Sequence, residues 1–232
     1  MTSVNRTALL NDLAAMIAKL NSARPIRVAI DGRTASGKTT LANELAECLK
    51  TSGREIIRTS IDGFHRPKVE RYARGRHSPE GYYHDARDLP AINALLLKPL
   101  GPGGDQWYRT ASFDLHNDVP IEQAPQFAPA DAILIVDGTF LQRPELREGW
   151  DLAIFVETSE HVSEQRGIAR DTKLLGGTET TRQLYADRYR PAFALYESLA
   201  APALVADAVI NNDDFDWPIL RVREAGRLSG VL

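Results

Sequence analysis

An α/β fold with a doubly wound, mainly parallel five-stranded sheet flanked by helices is the architecture that this sequence predicts. Two observations lead to it: short β-branched apolar runs, and helical stretches that alternate with them. The apolar runs are IRVAI (26–30), EIIRTSI (55–61), AILIV (132–136), LAIFV (152–156) and the weaker AVI (208–210). Nearly continuous apolar runs of this length are typical of strands buried on both faces of a parallel sheet. Their alternation with helices favours the doubly wound arrangement.

The helical elements follow from apolar spacing and from end signals. The first stretch, TALLNDLAAMIAKL (7–20), places Leu9 and Leu13 on one face of an amphipathic helix. The second, TTLANELAECLKTSG (39–53), ends on a glycine, the residue best suited to the left-handed conformation that closes a helix. Further helices are predicted at 89–100, 161–171 and 181–200.

The bulk composition indicates one soluble globular domain spanning residues 1–232. Apolar residues make up 43% and charged residues 25% of the chain, which allows a sizeable core. The net charge of −3 argues against a partner that is a nucleic acid or a membrane surface, and it leaves homo-oligomerisation open. Cys48 is the only cysteine, and no secretory signal is recognisable, so we expect a cytoplasmic protein without disulfides.

One region departs from the alternating pattern. Eight of the 13 prolines lie between residues 67 and 129, together with the run GPGG at 101–104. This composition predicts loops, one helix and a hairpin around SFDLHNDVPIE. Long irregular insertions in compact α/β proteins are usually functional. We therefore predict that residues of about 63–130 form an insertion that faces the substrate rather than a separate domain.

The segment GRTASGKT matches the P-loop pattern G-x-x-x-x-G-K-[ST] between a predicted strand and a predicted helix. Glycines allow backbone N–H groups to turn around phosphate oxygens, and the lysine adds a mobile positive charge. The helix that follows contributes the positive end of its dipole. The residues predicted to bind the nucleotide are Gly32, Ala35, Ser36, Gly37, Lys38, Thr39 and Thr40. No N-K-x-D string points to guanine, so ATP is the expected donor.

Two aspartates at predicted strand ends complete the expected chemistry. Asp137 follows the run AILIV, and with the Thr39 hydroxyl it is predicted to hold Mg²⁺. Asp62 follows the run EIIRTSI, where its carboxylate can accept the proton of an attacking hydroxyl. The residue pattern alone does not decide which of the two lies nearer to the metal.

From about Ile26 to Asn212 the chain resembles the uridine kinase and phosphoribulokinase group of P-loop kinases, which includes bacterial pantothenate kinase. The motifs that carry this resemblance are SIDGFH (60–65), GYYHDARD (81–88), Asp137-Gly138, RGIARD (166–171) and ADAVI (206–210). The resemblance implies an ATP- and Mg²⁺-dependent kinase that phosphorylates a hydroxyl group of a small molecule, first of all a nucleoside.

The same resemblance implies residue roles. Lys38, Asp62, Arg166 and Arg170 would be catalytic, with Asp62 as the base and the two arginines supplied by a lid of about residues 165–182. The residues implied to bind the acceptor are Asp62, His65, Tyr83, Asp85, Phe113, His116 and Arg166. The Phe-x-x-His spacing of the family's base-binding element is present, but Ala111-Ser112 replaces its Tyr-Asp pair.

Departures from the family pattern keep alternatives open. Gly167 stands where the lid carries a second arginine, so Lys173 or Arg182 is a candidate for the missing cation. The acceptor could instead be a sugar, a sugar phosphate or pantothenate, and a nucleotide-binding regulator without transfer activity is the alternative outside enzymes. A basic run after Asp62 is either a solvated loop or a site for an anionic group of the acceptor; it consists of Arg66, Lys68, Arg71, Arg74 and Arg76.

Overall fold

The computed structural model describes residues 5–231, which form one central sheet with helices on both sides and two small two-stranded sheets. The strands are β1 (Ile26–Gly32), β2 (Ile56–Ser60), β3 (Trp107–Tyr108), β4 (Phe113–Asp114), β5 (Val119–Pro120), β6 (Gln126–Phe127), β7 (Ile133–Gly138), β8 (Leu152–Glu157), β9 (Ala208–Asn211) and β10 (Ile219–Val222). The helices are α1 (Arg6–Ala18), α2 (Lys38–Leu49), α3 (Lys68–Arg71), α4 (Pro79–His84), α5 (Leu89–Ile92), α6 (Pro144–Arg147), α7 (Glu160–Leu175), α8 (Thr178–Leu184), α9 (Arg190–Ala200) and α10 (Pro202–Val205).

The central sheet has the strand order β10-β9-β8-β1-β7-β2, and all neighbours except β10 and β9 are parallel. All five predicted strands are present, but the predicted count of five was wrong. The sixth strand, β10, pairs antiparallel with β9 at the sheet edge, where its residues are only half-buried or exposed. A short strand without a continuous apolar run leaves little signal in the sequence, which is why it was missed.

Successive residues of β1 point to opposite faces of the sheet and build two cores. Val28 and Ile30 pack with the apolar faces of α1 and α2. Ala29 packs on the other side with the apolar residues of α5 and of the π-helical turn at Asn93–Leu97. The β1 strand is therefore buried throughout, and its carboxyl end is fixed between β7 and β8.

The predicted insertion is a set of short elements between β2 and β7. It contains a 3₁₀ turn at Ile61–Phe64, the short helices α3 to α5, and the two small sheets. The hairpin predicted around SFDLHNDVPIE is confirmed as the antiparallel pair of β4 and β5. None of the helices between residues 5 and 231 is long and apolar enough to cross a membrane.

The predicted lid corresponds to the second half of α7, a turn at Gly176 and Gly177, and the start of α8. The structure explains why position 167 is a glycine where the family pattern has an arginine. Gly167 is buried on α7, and a methyl group at this position would overlap the phenol ring of Tyr185. The Tyr185 hydroxyl donates to Asp171 at 3.0 Å, so the ring cannot turn away without losing this hydrogen bond.

Gly167→Ala is therefore expected to loosen the packing of α7 on the turn that follows α8. Overpacking of this kind costs about 1–3 kcal/mol of the free energy of unfolding. Thermal or urea unfolding of the variant measures the cost, with Gln165→Ala, an exposed position on the same helix, as the matched control. Equal stability of the two variants would contradict the close contact between Gly167 and Tyr185.

Candidate active site

The loop of residues 32–37 joins the carboxyl end of β1 to the first turn of α2. Gly37 forms the N-cap of α2 with a φ of +94°, in the left-handed region that favours glycine. A Cβ atom there would lie 2.5 Å from the side-chain nitrogen of Asn212. At Gly32, a Cβ atom would lie 2.5 Å from the carbonyl oxygen of Val156. The loop can therefore pass this close to the ends of β8 and β9 only with glycines.

Side chains from neighbouring elements hold the loop in place from behind. The Ser36 carbonyl accepts hydrogen bonds from the Asn212 amide at 2.8 Å and the Thr158 hydroxyl at 3.1 Å. The fully buried Asp31 carboxylate accepts from the Gly32 amide at 2.7 Å and from the Tyr196 hydroxyl. Burial raises the pKa of Asp31 above its ordinary value, although these hydrogen bonds act against the rise. These contacts fix the loop from the protein side.

Lys38 is only 8% exposed, and its Nζ donates to the Arg33 carbonyl at 2.6 Å. Burial lowers the pKa of Lys38 to about 8, while the charges of Asp137, Asp31 and Asp62 partly oppose this. The ammonium group lies in a cleft of about 260 Å³ that Asp62 and Asp137 also line. A phosphate group placed in this cleft would supply negative charge to an ammonium that the fold leaves partly desolvated.

The pKa of Lys38 makes nucleotide affinity depend on pH. Below about pH 8 the ammonium is charged, and above it the charge is lost in the free protein. The dissociation constant for ADP is therefore expected to rise as the pH increases from 7 to 9.5, by at most about tenfold per pH unit. Titration of ADP at several pH values measures the effect, and Lys38→Arg, which stays charged over the whole range, should flatten the profile. A flat profile in the unmodified protein would contradict the lowered pKa.

Asp137, at the carboxyl end of β7, is buried between two partners from other elements. Its carboxylate accepts from the Thr39 hydroxyl at 2.5 Å and from the Arg58 guanidinium at 2.6 Å. A carboxylate beside a hydroxyl at the first turn of α2 is the hard-oxygen donor set that suits Mg²⁺ held together with phosphates. Residues 5–231 contain no cluster of three or more acidic, histidine or cysteine side chains that would hold a metal alone. Thr39 and Asp137 would supply two oxygen ligands to an ion whose other ligands come from a nucleotide.

Asp62 lies in the 3₁₀ turn that follows β2, with its side chain 61% exposed toward the cleft. The Arg87 guanidinium donates to Asp62 at 2.7 Å and approaches Nε2 of His65 at 2.5 Å. Desolvation raises the pKa of Asp62, but the charge and hydrogen bond of Arg87 and the charge of Lys38 outweigh it and hold the pKa below its ordinary value. Asp62 is therefore ionised at neutral pH and can accept a proton.

His65 is neutral in this arrangement. Burial and the neighbouring Arg87 lower its pKa to about 3. Because Nε2 faces an Arg87 donor, the proton resides on Nδ1, which donates to the Asp62 carbonyl at 2.9 Å. His65 thus fixes the orientation of Arg87, which in turn fixes the Asp62 carboxylate.

A second groove, of about 220 Å³, lies on the other side of the P-loop. Thr40, Arg166 and Phe215 contribute to its walls. The Arg166 guanidinium donates to the carbonyl groups of Asn212 at 2.8 Å and Asp213 at 2.9 Å. Arg170 lines both this groove and the Asp62 cleft, and it forms an ion pair with Asp171 at 2.6 Å. The Asp62 cleft and this groove are therefore adjacent, and their shared wall includes Lys38, Thr39 and Arg170.

The model of the phosphoribulokinase/uridine kinase family matches residues 27–210, which is most of the chain. The chain belongs to this family. The geometry above agrees with that membership, because the P-loop, Asp62 and Asp137 meet at the carboxyl ends of β1, β2 and β7. The protein is a small-molecule kinase, an enzyme that transfers a phosphoryl group to a hydroxyl group.

Relatives within the family are distant but cover most of the chain. The uridine kinase of Deinococcus deserti is 26% identical over 220 residues, which is 87% of this chain and 95% of that protein. The uridine-cytidine kinase B of Dictyostelium discoideum is 29% identical over 177 residues, which is 76% of this chain and 71% of that protein.

Solved structures of other kinases show a similar fold. A possible uridine kinase from Bacillus stearothermophilus matches with a TM-score of 0.68 and 23% identity, covering 86% of this chain and 96% of that one. A D-glycerate 3-kinase from Cryptococcus neoformans matches with a TM-score of 0.56 and 15% identity, covering 81% of this chain and 88% of that one.

The structure does not bring every residue implied by the family motifs to the cleft. Tyr83 is 3% exposed and packs in the core against Phe140 and Tyr196, whereas its neighbour Tyr82 lines the cleft. Asp85 forms an ion pair with Arg74 at 2.9 Å outside the cleft wall. Adjacent helical residues point in different directions, so the motif alone could not decide which tyrosine faces the cleft.

The two hairpin residues implied to bind the acceptor also lie apart from the cleft wall. Phe113, in β4, is buried, and His116 is exposed in the turn between β4 and β5, whereas Leu115 of this turn lines the cleft. The lid candidates are likewise at the surface: Lys173 is exposed, and Arg182 pairs with Glu179 at 2.8 Å. The Asp62 cleft is therefore not lined by any of four predicted residues: Phe113, His116, Lys173 and Arg182.

Three arginines at the site were missed by the sequence reading. Arg58 holds Asp137, Arg87 holds Asp62, and Arg188 lines the cleft from the turn before α9. Arg87 lies two residues after Asp85 in a motif that was recognised, so its position carried a usable signal. Arg58 and Arg188 reach the site only through strand pairing and helix packing.

Proposed function

We propose that the enzyme transfers the γ-phosphoryl group of MgATP to a sugar hydroxyl of its acceptor, with the ribose of a nucleoside as the first case to test. The observation that carries this proposal is the cleft shared by Lys38, Thr39, Asp62 and Asp137. It brings a buried lysine and a hydroxyl–carboxylate pair suited to Mg²⁺ together with an ionised carboxylate that Arg87 orients.

On the donor side, the triphosphate of ATP would lie along the P-loop, with Lys38 at its terminal phosphates. Thr39 and Asp137 would hold Mg²⁺, which when bound neutralises charge on the phosphates. The groove that contains Arg166 and Phe215 would take the remainder of the nucleotide. Arg170, which borders both spaces, would neutralise charge that develops on the transferred group.

On the acceptor side, Asp62 would accept the proton of the attacking hydroxyl. Its low pKa keeps it ionised, and Arg87 keeps it oriented toward the cleft. The protein thus contributes positioning and electrostatic stabilisation, as is usual in phosphoryl transfer.

A nucleoside is supported by the relatives, several of which carry the name uridine kinase. The rings of Tyr72, Tyr82 and Tyr189 line the cleft and offer flat surfaces for a sugar or a base. Phosphorylated sugars are the second candidate, because Arg71, Arg87 and Arg188 also line the cleft.

The test is acceptor-dependent formation of ADP from MgATP with uridine, cytidine, adenosine, ribose and ribose 5-phosphate. Lys38→Met provides the inactive control. Turnover of any of these compounds that is lost in the control supports the kinase proposal. ATP binding without turnover of any of them would overturn a sugar hydroxyl as the acceptor group.

A further inference from the structure

The loop between β9 and β10 forms one wall of the groove beside the P-loop. Asn212 and Phe215 of this loop line the groove together with Thr40 and Arg166. The Phe215 ring is 43% exposed, whereas Asn212 is fully buried. The groove therefore offers a flat apolar surface next to the first turn of α2, of the kind on which a planar base can stack.

Arg6, the first residue of α1, holds this wall in place. It is 7% exposed, and its guanidinium carbon lies 4.1 Å from the centre of the Phe215 ring, so it covers one face of the ring. Its Nη1 donates to Oδ1 of Asn212 at 3.0 Å and to the Phe215 carbonyl at 3.3 Å. Its backbone amide donates to the Asp216 carbonyl at 2.9 Å. One residue thus fixes both the ring and the backbone of the groove wall.

The Arg6 side chain is itself fixed by a carboxylate on α2. Its Nε donates to Glu44 at 2.8 Å, and α2 is the helix that begins at the P-loop lysine. The Phe215 ring is therefore held at a set position relative to α2, because Arg6 bonds to both. A planar guanidinium can do this, since it stacks on a ring with its face while its edge donates hydrogen bonds.

The phosphate side of the site depends much less on Arg6. Within residues 5–231, no hydrogen bond or ion pair joins Arg6 to the P-loop itself. The link is indirect: Nδ2 of Asn212 donates to the Ser36 carbonyl at 2.8 Å. That carbonyl also accepts from the Thr158 hydroxyl at 3.1 Å, so it keeps a donor if Asn212 shifts. Loss of Arg6 should therefore disturb the Phe215 wall before it disturbs the P-loop.

We propose that Arg6 is a positioning residue of the nucleotide site, and that it holds the Phe215 ring as the surface on which the base of the donor stacks. This inference rests on the proposed function, because it assumes a nucleotide whose phosphates lie on the P-loop. It makes α1 part of the structure that determines donor affinity. Arg6 and Phe215 both lie outside residues 27–210, so the match to the family model does not assign this role to them.

The first experiment separates the base of the nucleotide from its phosphates. Calorimetry measures the binding of ADP and of pyrophosphate, each with Mg²⁺, to the unmodified protein and to two variants. Phe215→Leu is expected to weaken ADP binding about tenfold and Arg6→Met about three- to tenfold, within the range measured for stacking of a base on an aromatic ring. Pyrophosphate binding should change by less than about twofold in both variants, because it has no base to lose contact.

Two further variants separate positioning from stability. Arg24→Met is the matched control: Arg24 donates to both oxygens of Asp151 at 2.7 Å, beside the amino-terminal ends of β1 and β8. Its loss should lower the unfolding temperature and leave ADP affinity unchanged. Arg6→Lys keeps a charge for Glu44 but cannot also cover the ring. It should therefore recover the unfolding temperature relative to Arg6→Met without recovering ADP affinity.

A double-mutant cycle decides whether Arg6 acts through Phe215. If it does, Arg6→Met adds less than about twofold to the loss of ADP affinity in Phe215→Leu. Additive effects, or equal losses of ADP and pyrophosphate affinity in Arg6→Met, overturn the proposal. Unchanged ADP affinity in Arg6→Met also overturns it and leaves the kinase proposal intact. Absence of ADP binding by the unmodified protein overturns both this inference and the donor half of the proposed function.

Discussion

Asp62→Asn is expected to lower kcat by about 10²–10⁴-fold, the contribution typical of a general base. The amide preserves the size of the side chain and can still bond to Arg87, but it cannot accept the proton of the acceptor hydroxyl. The dissociation constant for ATP should change little, because Asp62 bonds to Arg87 and to no residue of the P-loop. Single-turnover kinetics with a saturating acceptor measures the chemical step, and calorimetry measures ATP binding.

Asp131→Asn is the matched control for this substitution. Asp131 is exposed in the turn before β7, at the amino-terminal edge of the sheet, and the same chemical change there should leave kcat unaltered. If Asp62→Asn keeps kcat within about threefold of the unmodified protein, Asp62 is not the base and the proposed mechanism fails. Loss of ATP binding together with kcat would instead indicate that Asp62 takes part in metal or nucleotide binding.

The donor half of the site was predictable because its signals are local in the chain. The glycines and Lys38 fall within eight consecutive residues, after the apolar run of β1 and before the helix pattern of α2. Asp137 directly follows a buried strand, and parallel strands carry their carboxyl ends to one edge. Local spacing, strand polarity and the metal's preference for hard oxygens together placed Thr39 and Asp137 side by side.

The acceptor half was less predictable because its residues meet only through packing. Arg188 enters the cleft from a π-helical turn, an irregularity that the helical pattern of residues 181–200 does not reveal. Arg58 reaches Asp137 because β2 pairs with β7 so that Ser60 stands opposite Asp137. Tyr82 and Leu115 line the cleft where the family motif implied the neighbouring Tyr83 and the nearby His116. In each case the deciding factor is the side of an element that faces the ligand.

Asp137→Asn is expected to weaken the apparent affinity for Mg²⁺ by about 10–100-fold and to lower kcat at limiting metal. Asp137 is buried, and its carboxylate bonds to both Thr39 and Arg58. The amide would remove the negative charge that balances Mg²⁺ and Arg58 while leaving the fold in place. Titration of activity with Mg²⁺ at fixed ATP measures the shift, and excess Mg²⁺ should restore part of kcat.

Thr39→Val provides the complementary test at the same pair, since it removes the hydroxyl but keeps the shape of the side chain. We expect a smaller shift in the same direction, because one oxygen ligand is lost and no charge is changed. The two substitutions should be non-additive, since their side chains contact each other at 2.5 Å and would share one ion. Additive effects, or an unchanged requirement for Mg²⁺ in Asp137→Asn, would show that the metal is held elsewhere in the cleft, with Asp62 as the next carboxylate to test.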